Sequence, residues 1–244
     1  MSESDPNSQW KHHGTAGTDG TGMEPTFVPA TGTRTSWLLP WYDTLVAIMA
    51  RESVLKSRMA TMVLAKNPAE VLDVGCGTAT LMLMLQAQAA GRGQILKSVG
   101  VDPDPKILER ANQKAGLTRH KVELVQANSV QLPFPDDTYD AVCTSLVMHH
   151  LLAVEKQAAI HEMRRVCRPG GILVLSDFCR PQNWLARFLF VIVRCFDGFD
   201  RTKSNLQGAL PDMIARAGWR DISEAFHLAT ALGTIRCYIA VNEA

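Results

Sequence analysis

Two acidic residues and two closely spaced glycines are the first place where this chain could do chemistry. Asp73 leads into Gly75, Cys76 and Gly77 within the run Val71-Leu72-Asp73-Val74-Gly75-Cys76-Gly77-Thr78-Ala79-Thr80-Leu81, and Asp102 closes the next apolar run. An apolar strand that breaks into glycines and resumes with helical spacing reads as strand, tight turn and helix. Glycines let the backbone approach a ligand, and the helix that follows presents free N–H groups and a positive dipole end. A carboxylate at the end of the second strand can accept hydrogen bonds from both hydroxyls of a ribose. The alternative for Asp102 is a helix N-cap without a ligand.

A second constellation follows. His149 and His150 come after the apolar run Tyr139-Asp140-Ala141-Val142-Cys143-Thr144-Ser145, and Asp177 closes Ile172-Leu173-Val174-Leu175-Ser176-Asp177. Carboxyl ends of central parallel strands face the ligand crevice, which brings these side chains toward the reacting groups. Either histidine suits general-base work, or packing against a cofactor and satisfying the backbone.

The elements that must position these groups alternate as strand and helix. Strands are expected over 95–102, 122–126, 139–145 and 172–177 besides the first, with helices over 81–89, around Ile107, Leu108 and Ala111, over 153–167 and over 206–217. Strands over 219–225 and 234–241 complete the sheet with an antiparallel edge. Upstream, Leu45, Val46, Ile48 and Met49, then Val54, Leu55, Met59, Met62 and Val63, have the spacing of two amphipathic helices. On the helix over 153–167, His161, Glu162, Arg164 and Arg165 read as an ordinary polar face. The fold class is α/β: a doubly wound, mostly parallel sheet with helices on both faces.

The glycine spacing bears on the cofactor. A dinucleotide fingerprint wants a third glycine where Thr80 stands, which weakens a nicotinamide reading. The run resembles instead the first motif of class I S-adenosylmethionine-dependent methyltransferases, an acid two residues before G-x-G-x-G, matched by Asp73, Gly75 and Gly77. Ala79 replaces that motif's last glycine and is expected to remove any need for positive φ there. Ala127-Asn128-Ser129 with Leu132-Pro133-Phe134 resembles the family's G-D-A-x-x-L-P-F, with Asn128 in the acid's place. His149-His150-Leu151 resembles the ubiquinone and menaquinone C-methyltransferase branch, and Arg165-Val166-Cys167-Arg168-Pro169-Gly170-Gly171 matches R-V-x-x-P-G-G. The resemblance runs from about Pro40 to Phe178, and more loosely to the end.

It implies a seven-stranded sheet of order 3-2-1-4-5-7-6, S-adenosylmethionine as cofactor and methyl transfer to a small acceptor. Asp73, Gly75, Cys76 and Gly77 would hold the cofactor's amino-acid end, Asp102 and Pro103 the ribose, and Asn128 and Ser129 the adenine, with Ser145 beside them. His150, His149 and Asp177 would stand on the catalytic side. Trp41 and Tyr42, on an N-terminal helical cap over 36–68, would line the acceptor pocket with Trp184 and Phe188. No metal is implied. A nicotinamide oxidoreductase and a non-catalytic cofactor-binding module are the rival readings.

Composition narrows the partners. Twenty-five basic and twenty-four acidic residues leave a formal charge of +1, which gives no nucleic acid a patch to bind. Six cysteines without a C-x-x-C pair fit a reduced, cytoplasmic protein better than a disulfide framework or zinc site. Residues 1–35, rich in Gly, Thr, Ser and Pro, are expected as a disordered tail, and 36–244 as one domain. The apolar segment within 180–205 has three readings: a lid over an apolar acceptor, an interfacial membrane helix, or plain packing. The lid favours a quinone-, phenol- or lipid-like acceptor. Oligomeric state leaves no mark in the sequence.

Overall fold

The computed structural model describes residues 51–179, 201, 204, 205, 207–230 and 233–243. The tail over 1–35, the first of the two N-terminal helices, Trp41, Tyr42, Trp184 and Phe188 lie outside the described residues, as does most of the expected lid.

Along the chain run α1 (Glu52–Leu64), β1 (Glu70–Val74), α2 (Thr80–Gly91), β2 (Lys97–Asp102), α3 (Pro105–Gly116), β3 (Glu123–Gln126), β4 (Tyr139–Ser145), a 3-10 turn (Met148–His150), α4 (Ala153–Val166), β5 (Cys167–Cys179), α5 (Leu210–Arg216), β6 (Arg220–Thr230) and β7 (Gly233–Val241). The sheet order is β3-β2-β1-β4-β5-β7-β6, as the resemblance implies. β1 to β5 pair in parallel, and β7 runs antiparallel to both β5 and β6. Order reverses at β1, with β2 on one side and β4 on the other. That switch point opens the crevice in which such folds bind ligands.

Alternation along the strands divides the core between two faces. Leu72, Val74, Val142, Leu173 and Leu175 pack with Ile160 and Met163 of α4 and Ile214 of α5. Val71, Ala141, Cys143 and Val174 pack with Leu55, Met59 and Val63 of α1 and Leu81 and Leu85 of α2. α3 docks beside α2 through Leu108 and Ala111 against Met82 and Ala79.

Several boundaries move. β2 starts at Lys97, whose N–H donates to the Ala69 carbonyl, while Ile95 stands outside the strand and 93% exposed. β3 starts one residue late, at Glu123, and α5 starts at Leu210 rather than 206. β5 extends through the Pro169-Gly170-Gly171 turn, where Gly170 N–H donates to Asn242 O at 2.6 Å and so prolongs the pairing with the chain beyond β7. Trp219 precedes β6, fully buried, with its indole N–H donating to Ile160 O.

One expectation is overturned outright. Ala79 has φ 58° and lies in the left-handed region although it carries a Cβ. The turn must deliver its N–H to Cys76 O at 3.0 Å and start α2 at Thr80, and the backbone path needs positive φ there whatever the side chain. The polar face of α4 also does more than expected. Arg165 pairs with Glu162 and Asp136 and donates to Leu132 O and Phe134 O, and Glu162 accepts from Leu132 N–H, fixing the loop after β3.

Candidate functional site

The glycine turn is tied to the end of β2. Gly75 and Cys76 N–H both donate to Val101 O, at 2.8 and 2.9 Å, and Gly77 N–H donates to Asp102 Oδ2 at 3.0 Å. Gly75 has φ 73°, and a Cβ there would sit 2.3 Å from Val147 Cγ2, in the segment after β4. A Cβ on Gly77 would meet nothing within 4 Å. The turn is therefore close-packed on its β4 side and open over Gly77.

Asp73 sits under this turn, 1% exposed. Its Oδ1 has no hydrogen-bond partner among the described residues. Burial, first of all, pushes its carboxyl up to about 7; Lys56 opposes the shift and Asp102 adds to it. An orphaned buried carboxylate beside open space is what the α-ammonium of an amino acid would satisfy, so the residues fit the methionine end of S-adenosylmethionine.

Asp102 does not cap α3. Asp104 does, accepting from Lys106 N–H at 2.9 Å, while Asp102 Oδ1 accepts from Asp104 N–H and Oδ2 from Gly77 N–H. Burial raises the Asp102 carboxyl and those two backbone donors pull it back, with a smaller lowering from His150. Asp102 stands beside the half-buried Pro103, and His150 is near enough to act on it electrostatically. Asn128 is half-buried, its Oδ1 accepting from Val130 N–H at 3.2 Å, which leaves the oxygen's second lone pair for a ligand amine. Ser129 beside it is 8% exposed. The Cys76 thiol is buried and pushed upward by burial and then by Asp73, so it serves as filler and not as a nucleophile.

Ser145 ends β4 in register with Ser176 of β5, and Leu146 then turns with φ 59°, its N–H donating to Ser176 O. That turn carries His149 onto β5. Asp177 is fully buried; its Oδ1 lies 2.8 Å from His149 Nδ1 and its Oδ2 accepts from His149 N–H at 3.1 Å. Phe178 N–H also donates to Oδ1 at 2.6 Å, and the Phe178 ring meets the His149 ring edge-on at 5.2 Å. His150 stacks obliquely on His149, centroids 4.0 Å apart, and is exposed. Asp177 therefore contacts His149 and presents no surface of its own to an acceptor.

Sequence reasoning missed two lysines. Lys56 of α1, 7% exposed, pairs with Glu52 at 2.5 Å and acts electrostatically on Asp73. Lys156 of α4 is fully buried. A signal was available in both cases: Lys56 is in phase with Met59, Ala60 and Val63, and Lys156 with Ala159, Ile160 and Met163, the i, i+3, i+4, i+7 stripe of a buried face. Among the described residues no group of His, Cys, Asp or Glu could hold a metal ion, and no helix is long and apolar enough to cross a membrane.

A parallel sheet with an antiparallel last hairpin, a glycine turn over a buried acid and a second acid at the end of β2 define an α/β protein built for a nucleoside-bearing cofactor. Residues 72–175 match a family model described as a methyltransferase domain. An uncharacterized methyltransferase of Synechocystis sp. is 34% identical over 62% of this chain and 68% of its own length. The demethylmenaquinone methyltransferase of Thermus thermophilus is 34% identical over 60% of this chain, which spans a little under two thirds, 64%, of that relative. Magnesium protoporphyrin IX methyltransferase of Synechocystis, solved with bound S-adenosylmethionine, superposes with a TM-score of 0.58 at 19% identity, covering 79% of this chain and 80% of its own. The chain belongs to the class I S-adenosylmethionine-dependent methyltransferases. Its cofactor is S-adenosylmethionine.

Proposed function

We propose that this enzyme methylates a small apolar or aromatic acceptor of the quinone, phenol or lipid class, with His149 as the base that receives the acceptor's proton. The observation that carries the reading is the His149–Asp177 pair, 2.8 Å apart and buried where β4 and β5, adjacent in the sheet, reach their carboxyl ends. The demethylmenaquinone methyltransferases among its relatives support the acceptor class.

When bound, the cofactor supplies a methyl group already activated by the sulfonium. The protein's share is to align the acceptor, exclude water and move one proton. Asp73 takes the cofactor's ammonium, and Lys56, turned from Glu52, its carboxylate. The backbone of Gly75 to Gly77, with Cys76 as its packed base, lets the chain come close. Asp102, next to Pro103, accepts from the ribose hydroxyls. Asn128 accepts from the adenine amine, Ser129 offers its N–H, and Ser145 lines the floor. Asp177 holds Nδ1–H of His149, so Nε2 is the nitrogen that takes a proton from an acceptor hydroxyl and leaves a better nucleophile. His150, exposed and on the Asp102 side, shapes the passage between cofactor and acceptor. Trp41, Tyr42, Trp184 and Phe188 remain the proposed pocket wall. The protein is proposed to work in the cytoplasm and to bind no nucleic acid.

Incubation with methyl-labelled S-adenosylmethionine and a panel of reduced quinones, phenols and lipids tests this. Label transfer to at least one class, abolished or slowed about a hundredfold or more in His149→Ala with cofactor affinity retained, is expected. Transfer confined to hydrophilic amines, or undiminished in His149→Ala, would refute it.

A further inference from the structure

Lys156 has no exposed surface, yet its ammonium is fully satisfied. Nζ donates to Arg201 O at 2.6 Å, Ser204 Oγ at 2.7 Å and Asn205 Oδ1 at 2.5 Å, three donors for three acceptors. Neither Ser204, 8% exposed, nor Asn205, fully buried, offers a charge in return. Burial pulls Lys156 down to about 8, while the Asp177 carboxylate, its largest opposing influence, pushes it back up, followed by Cys179.

The network continues on the side away from the lysine. Asn205 Nδ2 donates to Phe178 O at 2.9 Å, next to Asp177, and an Arg201 guanidinium N–H donates to His150 O at 3.1 Å. Arg201, Ser204 and Asn205 are thus fastened to α4 at one point and to both neighbours of the His149–Asp177 pair at two others. A buried cation costs much desolvation, and a methionine would fill the same stripe without that cost. The chain instead keeps a charge behind the one carboxylate that holds His149.

We propose that Lys156 is a positioning residue for methyl transfer: it clamps Arg201, Ser204 and Asn205 onto the catalytic side and, through Asp177, sets how readily His149 takes a proton. The inference rests on the proposed role of His149. Its sign follows from charge. A cation behind Asp177 opposes formation of an imidazolium, so its loss makes His149 easier to protonate. Among the described residues, the groups around His149 include Asp177 and Phe178 of β5, His150 on its own turn, Lys156 of α4 acting through Asp177, and Arg201 bonded at His150, with Asp102 of β2 acting on His150. Of these charges, Lys156→Met removes only that of Lys156, together with the three hydrogen bonds of the clamp, and Asn205→Ala separates the two effects.

The test is a proton NMR titration of the His149 ring, which needs neither cofactor nor turnover, in the full-length wild type, Lys156→Met and Asn205→Ala. Lys156→Met is expected to move the His149 titration upward by roughly half a pH unit or more. Asn205→Ala, which loosens the clamp and keeps the charge, is expected to leave it near wild type. Both should raise the acceptor KM several-fold while cofactor affinity by calorimetry stays within about twofold. Lys156→Gln, neutral but able to hydrogen-bond, replaces Lys156→Met if the latter does not fold. A neutral variant that lowers the melting temperature but moves neither the titration nor the acceptor KM overturns the proposal. Full activity in His149→Ala would instead sink the base assignment, an outcome the titration does not depend on.

Discussion

Asp177 grips His149 at two points, Oδ1 against the ring Nδ1 at 2.8 Å and Oδ2 against the backbone N–H at 3.1 Å. Ring position and ring tautomer are therefore set by one carboxylate, itself fixed by Phe178 N–H. The proposed base, held this way, needs no rearrangement before it accepts a proton.

Asp177→Asn keeps the shape and loses the anion that selects the Nδ1–H tautomer. Turnover is expected to fall about a hundredfold or more, with cofactor affinity changed little. Steady-state kinetics beside calorimetry with S-adenosylhomocysteine checks both halves. A loss that appears only as weaker cofactor binding would place Asp177 in the cofactor site.

Asp102→Ala should do the reverse. It removes the acceptor for the ribose hydroxyls, at about 1.5–3 kcal/mol for each charged hydrogen bond, and it also frees Gly77 N–H and Asp104 N–H. Cofactor binding by calorimetry should become undetectable in a protein that still melts cooperatively. Unchanged affinity would reduce Asp102 to a brace for the turn.

Asp73 predicts a pH dependence with a definite sign. Its carboxyl is raised from 3.8 to about 7 by burial, so the folded protein holds a proton there that the unfolded chain gives up. That contribution to stability is full below about 4 and is lost as pH rises to about 7, a span of roughly 4 kcal/mol. Asp73→Asn should then raise the melting temperature of the cofactor-free protein at pH 8 and change it little at pH 4. An ammonium ligand wants the carboxylate instead. Cofactor affinity should climb up to about tenfold per unit as pH rises toward 7 and flatten above it, with a proton released on binding below 7. Calorimetry in buffers of different ionisation enthalpy measures that proton, and a flat profile would contradict the assignment.

Much of this site was legible in the residue string because the motifs fall at ends of elements. Asp102 ends β2, Asp73 and Asp177 stand within two residues of the ends of β1 and β5, and His149 follows β4 by one short turn, and strand ends are what hydrophobic runs mark best. The antiparallel edge is readable in the two last strands, but the place of β7 between β5 and β6 comes only from resemblance, since alternation says nothing about order. Ile95 is apolar and so reads as part of β2, yet the strand begins where Lys97 finds the Ala69 carbonyl. Lys56 and Lys156 read as surface residues because a helix lysine is usually solvated, and only their phase against Met59 and Ile160 betrays them. The partners of Lys156 could not be foreseen at all. They lie 45 to 49 residues away, joined by tertiary packing alone.

Ala79 yields the last prediction, because residue type and backbone disagree there. At φ 58° an L-residue pays roughly 1–2 kcal/mol for the left-handed conformation, and glycine does not. Against that, Ala79 is fully buried between Met82 and Leu108, and deleting its methyl forfeits about 0.8 kcal/mol of burial. Glycine also loses more backbone entropy on folding, at about 0.5–1 kcal/mol. The terms nearly cancel, so Ala79→Gly is expected to leave stability within about 1 kcal/mol of wild type. Ala111, equally buried in the same cluster but inside the α3 helix, has no strain to relieve. Ala111→Gly should therefore cost about 1–2 kcal/mol. Urea denaturation of the two variants side by side decides the matter, and equal losses would mean that the turn carries no strain at Ala79.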